Sequence, residues 1–295
     1  MDGMLALSDQ LAAAVQKAGQ AVFAVHGRPR VPSTGVHWRS GLIVTANHTV
    51  QTDDDLTVTS PNGQSAPATV VGRDSALDVA VLGIGAVDVA VADVGDSDAV
   101  RVGHMVLAVG AGPRASWGVI SAIGAAWSSR SESDVFSLDL TLYPGFSGGP
   151  LVDARGSVVG LNTSGASRRL ELAVPAKAVS RLVDAVVRHG RIPQAYLGVS
   201  TQQIRVPQGV REESRQAQRT ALIVVDVQEG SPAAAGLLVG DVILSLDGTA
   251  MADPLDLRAV VRPERIGQRV TASVIRAGRV LDVSLTIGER PGRAR

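Results

Sequence analysis

Residues Leu142 to Val152 read L-Y-P-G-F-S-G-G-P-L-V, three glycines and two prolines around one serine, Ser147. Such a stretch is either a tight turn between strands or a loop whose glycines hold Ser147 in a special backbone position. A serine hydroxyl is a weak nucleophile at neutral pH. Acyl transfer therefore needs a base within hydrogen-bond reach and a third group to orient that base. It also needs N–H donors aimed at the developing oxyanion. A glycine two residues before the serine can point its own N–H and that of Ser147 at one spot, so Gly145 and Ser147 are the candidate oxyanion hole. Gly-x-Ser-Gly-Gly also occurs in loops without chemistry, and the other members have to be found elsewhere in the chain.

Five histidines are present: His26, His37, His48, His104 and His189. His48 follows the apolar run in G-L-I-V-T-A-N-H, where a loop residue is held rigidly at a strand end. The other four read as surface or interface imidazoles. In D-S-A-L-D-V-A-V-L, Asp78 opens an apolar strand, while Asp74 reads as a turn-satisfying carboxylate. His48, Asp78 and Ser147 stand in the order His, Asp, Ser, one of the orders in which this triad occurs.

The surrounding texture is that of a β protein. Short runs of Val, Leu, Ile and Thr broken by Gly, Asp, Asn and Pro predict strands over 41–45, 56–59, 68–71, 79–84, 105–109, 135–140, 158–162 and 172–175, an all-β barrel or sandwich. Across 8–25, Leu11, Val15, Ala18 and Val22 predict an amphipathic helix that runs into a short extended piece. Residues 176–189 predict a second, with Val179, Leu182, Val183, Val186 and Val187 on one face and Gly190 at its end. The domain boundary is placed here: 1–190, a linker 191–195, a second domain 196–290 and a tail 291–295. The second domain holds strands near 221–227, 242–246, 269–276 and 280–287, a helix near 254–261, and a polar stretch 202–220 read as a loop with a short helix.

Composition bounds the function. The 295 residues carry 28 basic and 28 acidic side chains, and 45% of them are hydrophobic. This balanced charge argues against nucleic acid as a partner. With no cysteine, thiolate nucleophiles and Cys-ligated zinc are excluded. No His/Asp/Glu cluster has ligand spacing, so neither a metal nor a cofactor is implied. Neither a membrane span nor an export signal is legible, which points to the cytoplasm, or to a periplasmic or secreted protein if an export signal has been removed.

The motifs together resemble the HtrA/Deg group of trypsin-like serine proteases. G-L-I-V-T-A-N-H-T-V is similar to their segment around the base, D-S-A-L-D-V-A-V-L to the acid segment, P-G-F-S-G-G-P-L-V to the nucleophile loop, G-L-N-T-S-G to the strand after it, and D-S-D-A-V-R-V-G to a stretch between acid and serine. The resemblance implies a pair of six-stranded barrels with the site in their cleft. In it His48 is the general base, Asp78 its orienter, Ser147 the nucleophile, and the N–H groups of Gly145 and Ser147 the oxyanion hole. The specificity pocket would be walled by 139–143 and 161–165. Departures are Phe146 where the family has Asn, read as a bulky group at the mouth of the site, and the short loops 30–39 and 111–117.

S-P-A-A-A-G-L-L-V-G-D-V-I-L-S-L-D-G resembles the PDZ domain attached to these proteases, a small α/β module. It implies that the N–H groups of Leu197, Gly198 and Val199 in Y-L-G-V capture a peptide carboxylate, with Leu255, Leu257 and Val260 facing the groove. The expected protein is thus a serine endopeptidase acting on unfolded or damaged polypeptides, with peptide C-termini bound at the PDZ domain and a homotrimer as the assembly the family commonly forms. The alternative is a peptide-binding, chaperone-like protein with weak or switched-off proteolysis.

Overall fold

The computed structural model describes residues 2–29, 31–51, 55–75, 77–112, 114–124, 135–165, 170–190, 195–206 and 218–290. They divide into two compact units, 1–192 and 193–295. The linker 191–194, the tail 291–295 and the centre of the polar stretch, 207–217, lie outside the described residues.

The first unit opens with helix α1 (Asp2–Gly19) and contains two closed six-stranded barrels. Barrel one uses β1 (Val22–His26), β2 (Ser33–Arg39), β3 (Leu42–Ala46), β4 (Thr57–Thr59), β5 (Ser65–Asp74) and β6 (Val79–Ile84). Its order is β1-β2-β3-β6-β5-β4, closed by pairing of β1 with β4. Barrel two uses β7 (Met105–Gly110), β8 (Arg114–Ile123), β9 (Phe136–Asp139), β10 (Pro150–Val152), β11 (Val158–Thr163) and β12 (Glu171–Pro175), in the order β10-β11-β12-β9-β8-β7. Helix α2 (Ala176–His189) follows and packs on β11, β12 and β6.

The continuous apolar strands have a packing reason. In β6, Ala80 and Leu82 face the interior of barrel one. Val79 and Val81 join a second core formed between the barrels and under both helices. β3 divides in the same way, with Ile43 inside and Val44 at the seam. Strands buried on both faces lose the polar alternation that marks a half-exposed sheet. α2 covers the seam with Val179, Leu182, Val183 and Val186, and Trp38 of β2 donates from Nε1 to Ser180 Oγ at 3.1 Å. Val187, placed on that face by its spacing, is instead exposed.

Several boundaries differ from the sequence expectation. α1 begins at Asp2, ahead of the expected start at Ser8, and ends at Gly19, and the extended piece that follows is β1, which Val22 opens rather than continuing the helix. Lys17 anchors the helix end through Asp93 at 2.6 Å. The stretches 30–39 and 111–117, read as short loops, contain all of β2 and the start of β8. The apolar pattern of β2 is interrupted by Gly35, where a Cβ would meet Ile43 and Val25, and that of β8 by Gly118, where it would meet the Asp139 carbonyl. His37 is not a surface imidazole: it is buried in β2, edge-on to Phe23, with Nδ1 at 3.1 Å from the carbonyls of Val89 and Ala90. His26 is exposed and bonds Thr59, His104 lies against Arg101, and the His189 side chain is outside the described set.

The second unit holds a sheet of order β14-β15-β16-β18-β19: β14 (Val199–Arg205), β15 (Thr220–Val227), β16 (Val242–Leu246), β18 (Arg269–Arg276) and β19 (Arg279–Thr286). β17 (Thr249–Ala250) pairs with β16, and β13 (Ala195–Tyr196) with β20 (Gly288–Glu289). Helix α3 (Pro254–Val260) lies near β14. A 3₁₀ turn, Pro232–Ala235, starts with Ser231 accepting the Ala234 N–H, and Pro232 occupies its first position. The first residues of the polar stretch expected to be a loop, Gln202 to Arg205, instead belong to the edge strand β14.

One buried carboxylate ties the start of β16 to β18 in this unit. Asp241 accepts from Arg276 Nε at 2.8 Å and Nη2 at 2.7 Å, and from the Leu238 N–H at 2.8 Å. Burial pushes its carboxyl up, but the Arg276 hydrogen bond, the Leu238 N–H and the Arg276 charge outweigh it, and the net shift is downward. A carboxyl lowered on folding contributes stability that is present above the unfolded value of 3.8 and is lost as pH falls through the folded one. The unfolding midpoint of the wild-type second unit should therefore fall on acidification below about pH 4, and Arg276→Met should lower it at neutral pH. Urea titrations at pH 7 and pH 3 measure both.

Candidate active site

The site is assembled where strands of both barrels end. His48 lies in a short 3₁₀ turn, Asn47–Thr49, directly after β3, and Asp78 directly precedes β6, the strand paired with β3. Neighbouring strand ends thus bring together residues thirty positions apart. His48 Nδ1 is 2.6 Å from Asp78 Oδ2, and the His48 N–H donates to Oδ1 at 2.8 Å. The Asp78 carbonyl accepts the Asn47 N–H at 2.9 Å. Asp78 sits at φ 56°, a left-handed conformation that a side chain other than glycine occupies at a cost, though Asp tolerates it better than most. Asp74 accepts the Leu77 N–H, as a turn residue should.

Burial raises the Asp78 carboxyl, but hydrogen bonds from the His48 ring, the Thr163 hydroxyl and the His48 N–H prevail, with the His48 charge adding to them, and the net shift is downward. Asp78 therefore stays ionised throughout the neutral range. An ionised carboxylate only accepts, so the proton between the two residues is on Nδ1, which leaves Nε2 of the neutral ring with a free lone pair. The Thr163 hydroxyl, from the end of β11, bonds the same Oδ2. Gly165 closes over the pair: a Cβ there would stand 2.4 Å from His48 Nδ1 and 2.9 Å from Asp78 Oδ2.

Ser147 is buried between β9 and β10. Its Oγ lies 2.8 Å from Ser164 Oγ and accepts the Ser164 N–H at 3.3 Å, so its hydroxyl is turned to Ser164 rather than to His48. The glycine after it is required by the cross-barrel fit. Gly148 has φ 84°, and a Cβ would come within 2.2 Å of the Thr34 carbonyl and 2.3 Å of Thr45 Oγ1.

Carbonyls of the loop fix the directions of its N–H groups, because the two point oppositely across a trans peptide and no peptide here is cis. The Pro144 carbonyl, in the peptide that carries the Gly145 N–H, accepts from Arg114 Nη1 at 3.2 Å. The Phe146 carbonyl, in the peptide that carries the Ser147 N–H, accepts from Gly149 at 2.9 Å. Thr34 ties down the rest: its hydroxyl donates to the Gly145 carbonyl at 2.6 Å and its N–H to the Ser147 carbonyl at 3.1 Å. Thr34 and Arg114 escaped the sequence reading because both fall in stretches read as loop. The signal that could have found them is a polar residue at a strand start, next to motif-bearing segments.

Phe146 does not stand at the mouth of the site. It is 1% exposed, edge-on to Tyr143 at 5.7 Å and beneath the Arg114 guanidinium at 5.4 Å. Gly110 makes room for it, since a Cβ there would lie 2.7 Å from the ring. Phe146→Ala should destabilise the first unit by about 3–5 kcal/mol, as expected for emptying a buried aromatic site. Chemical denaturation of the two proteins checks this.

In the second unit the Leu197 carbonyl accepts from Ala233 and the Gly198 carbonyl from Gln228, both at 2.8 Å, and Gly198 is left-handed at φ 80°. Val199 opens β14, which has a strand on one side only. Leu257 is half-buried and Val260 buried against the core of this unit, and the Leu255 side chain is outside the described set.

Comparison with known proteins matches these two units separately: a trypsin-like peptidase domain over residues 33–161 and a PDZ domain over 195–287. A solved HtrA-type protease, AlgW with a tripeptide, is 30% identical, superposes with a TM-score of 0.67, and the match covers 96% of this chain and 98% of that one. The chain belongs to the HtrA family of proteases. A second solved structure, the serine endoprotease from Yersinia pestis, is 27% identical with a TM-score of 0.67, covering 96% and 98% of the two chains. Among curated relatives of this HtrA chain, the "Probable periplasmic serine endoprotease DegP-like" of Rhizobium meliloti (strain 1021) is 33% identical over 91% of this chain and 55% of its own length. The protein of the same name from Chlamydia pneumoniae is 33% identical over 85% and 53%. The HtrA chain spans about half the length of these curated relatives. Their names correct the cytoplasmic expectation, since these relatives are named as probable periplasmic proteins. The first residues of a chain are a weak guide to compartment. Among the described residues no helix is long and apolar enough to cross a membrane.

Proposed function

We propose that this chain is a serine endopeptidase that hydrolyses peptide bonds of unfolded polypeptides in the periplasm. The observation that carries the reading is the His48–Asp78 pair, hydrogen-bonded and capped by Thr163, on one side of a loop that presents Ser147. In this reading the Ser147 hydroxyl turns from Ser164 to His48 Nε2, gives up its proton there and attacks the scissile carbonyl. The N–H groups of Gly145 and Ser147 stabilise the oxyanion, and His48 then hands the proton to the leaving amine. Water, activated by the same imidazole, releases the acyl group. Asp78 orients the ring and stabilises the imidazolium.

The PDZ unit, by the same proposal, captures peptide C-termini at the N–H groups of Leu197, Gly198 and Val199, with the peptide adding as a strand beside β14. The free edge of β14 and the carbonyls of Leu197 and Gly198 already engaged elsewhere support it. Met4 and Leu5 of α1 and Trp117 of β8 are large apolar side chains more than half exposed, which supports self-association, a homotrimer in our reading. A binding protein without proteolysis is not favoured, because the three side chains of the triad are present and the acid–base pair is formed. The test is a fluorophosphonate reagent followed by peptide mapping. Covalent labelling at Ser147 is expected, and labelling elsewhere or nowhere would overturn the assignment.

A further inference from the structure

Glu171 is the only charged residue of β12, in the run E-L-A-V-P whose other members are buried. β12 lies between β11 and β9. On one side Glu171 pairs with Leu138. On the other, Asn162 pairs with Ala173 and Thr163 with Leu172, and the next step of this register sets Ser164 opposite Glu171. Residues paired across a ladder share a sheet face, and successive residues alternate between faces. Glu171 therefore emerges on the face of Ser164, whose hydroxyl is 2.8 Å from that of Ser147. Asp139, one residue beyond Leu138, lies on the opposite face.

The carboxylate also reaches the second segment beside the nucleophile, because the Leu142 N–H donates to it. It thus stands between 139–143 and 161–165. A half-buried carboxylate so placed is poorly solvated: burial lifts its carboxyl above the usual range and the Leu142 N–H only partly offsets this. A second acceptor lies on the same face, Asn162 Oδ1, which is buried and has no hydrogen-bond partner. Two oxygen acceptors beside the nucleophile, one of them anionic and short of solvation, suit a side chain that brings donors and positive charge.

We propose that Glu171 determines cleavage specificity by pairing with a lysine or arginine side chain of the substrate residue that precedes the scissile bond. The proposal rests on the peptidase reading above and adds the substrate class to it. The test is digestion of unfolded casein by wild type and Glu171→Gln, with mass spectrometry of all cut sites and kcat/KM for matched peptides bearing Arg or Val before the bond. Wild type should cut mainly after Arg and Lys. Loss of one charge-assisted hydrogen bond should lower kcat/KM for the Arg peptide roughly 10- to 100-fold in Glu171→Gln, while fluorophosphonate labelling of Ser147 stays at the wild-type rate. Wild-type cleavage mainly after aliphatic residues, or an Arg-to-Val ratio unchanged in the variant, overturns the proposal and leaves the peptidase reading standing. Absence of both cleavage and Ser147 labelling in wild type overturns the peptidase reading and this proposal with it.

Discussion

Replacing Ser147 by alanine is expected to lower turnover of an unfolded casein substrate by about a million-fold, because in the proposed mechanism the triad acts as a unit and losing its nucleophile costs nearly as much as losing all of it. The fold should survive. Ser147 bonds Ser164 through its side chain, but the loop is held by backbone bonds, including Thr34 N–H to the Ser147 carbonyl and Gly148 N–H to the Asn162 carbonyl, that alanine retains. Substrate affinity should therefore change little. The checks are kcat from single-turnover digestion, binding of a fluorescent peptide, and the thermal midpoint. A variant that still cuts at a tenth of the wild-type rate would show that the hydrolysis belongs to another group.

Asp78→Asn should cost about four orders of magnitude in kcat. The substitution keeps the volume but replaces the acceptor-only carboxylate at the 2.6 Å contact with His48 Nδ1. An amide can present its NH₂ to that nitrogen, and the ring then carries its proton on Nε2, where it cannot serve as base. Thr163 and the His48 N–H would also lose a charged acceptor. Stability should fall with activity at neutral pH, and the difference from wild type should shrink as pH drops through the lowered Asp78 value, since the wild-type carboxylate then protonates. Denaturation curves at pH 7 and pH 3, beside kcat at pH 7, measure both effects. Equal activity of the two proteins would remove Asp78 from the mechanism.

How much of this was legible in the sequence depended on whether a residue's neighbours were local. The strand Val79–Ile84, the strand Val242–Leu246 and the helix Ala176–His189 have the bounds their apolar runs and their Gly and Pro breaks indicate. G-F-S-G-G marked a loop with a demanding backbone, and Gly145 and Gly148 are both left-handed. β2 and β8 were misread because glycines interrupt their apolar pattern where another strand presses in, a fact about the neighbour and not about the segment. Phe146 was misplaced for the same reason. A phenylalanine beside a nucleophile reads as an obstacle until Gly110, Tyr143 and Arg114 are seen around it.

The class of fold, the two-part organisation and the three side chains from which a triad can be built are legible along the chain, because residue types, turn signals and apolar period are properties of short segments. Long-range packing, in contrast, sets Thr34 and Arg114 on the carbonyls of the Ser147 loop, Thr163 and Gly165 against the His48–Asp78 pair, and Ser147 against Ser164. Those are contacts between barrels and across a ladder, between residues far apart in the chain. Hydrogen bonds of this kind are fixed by how closed sheets pack and register, which no local pattern encodes.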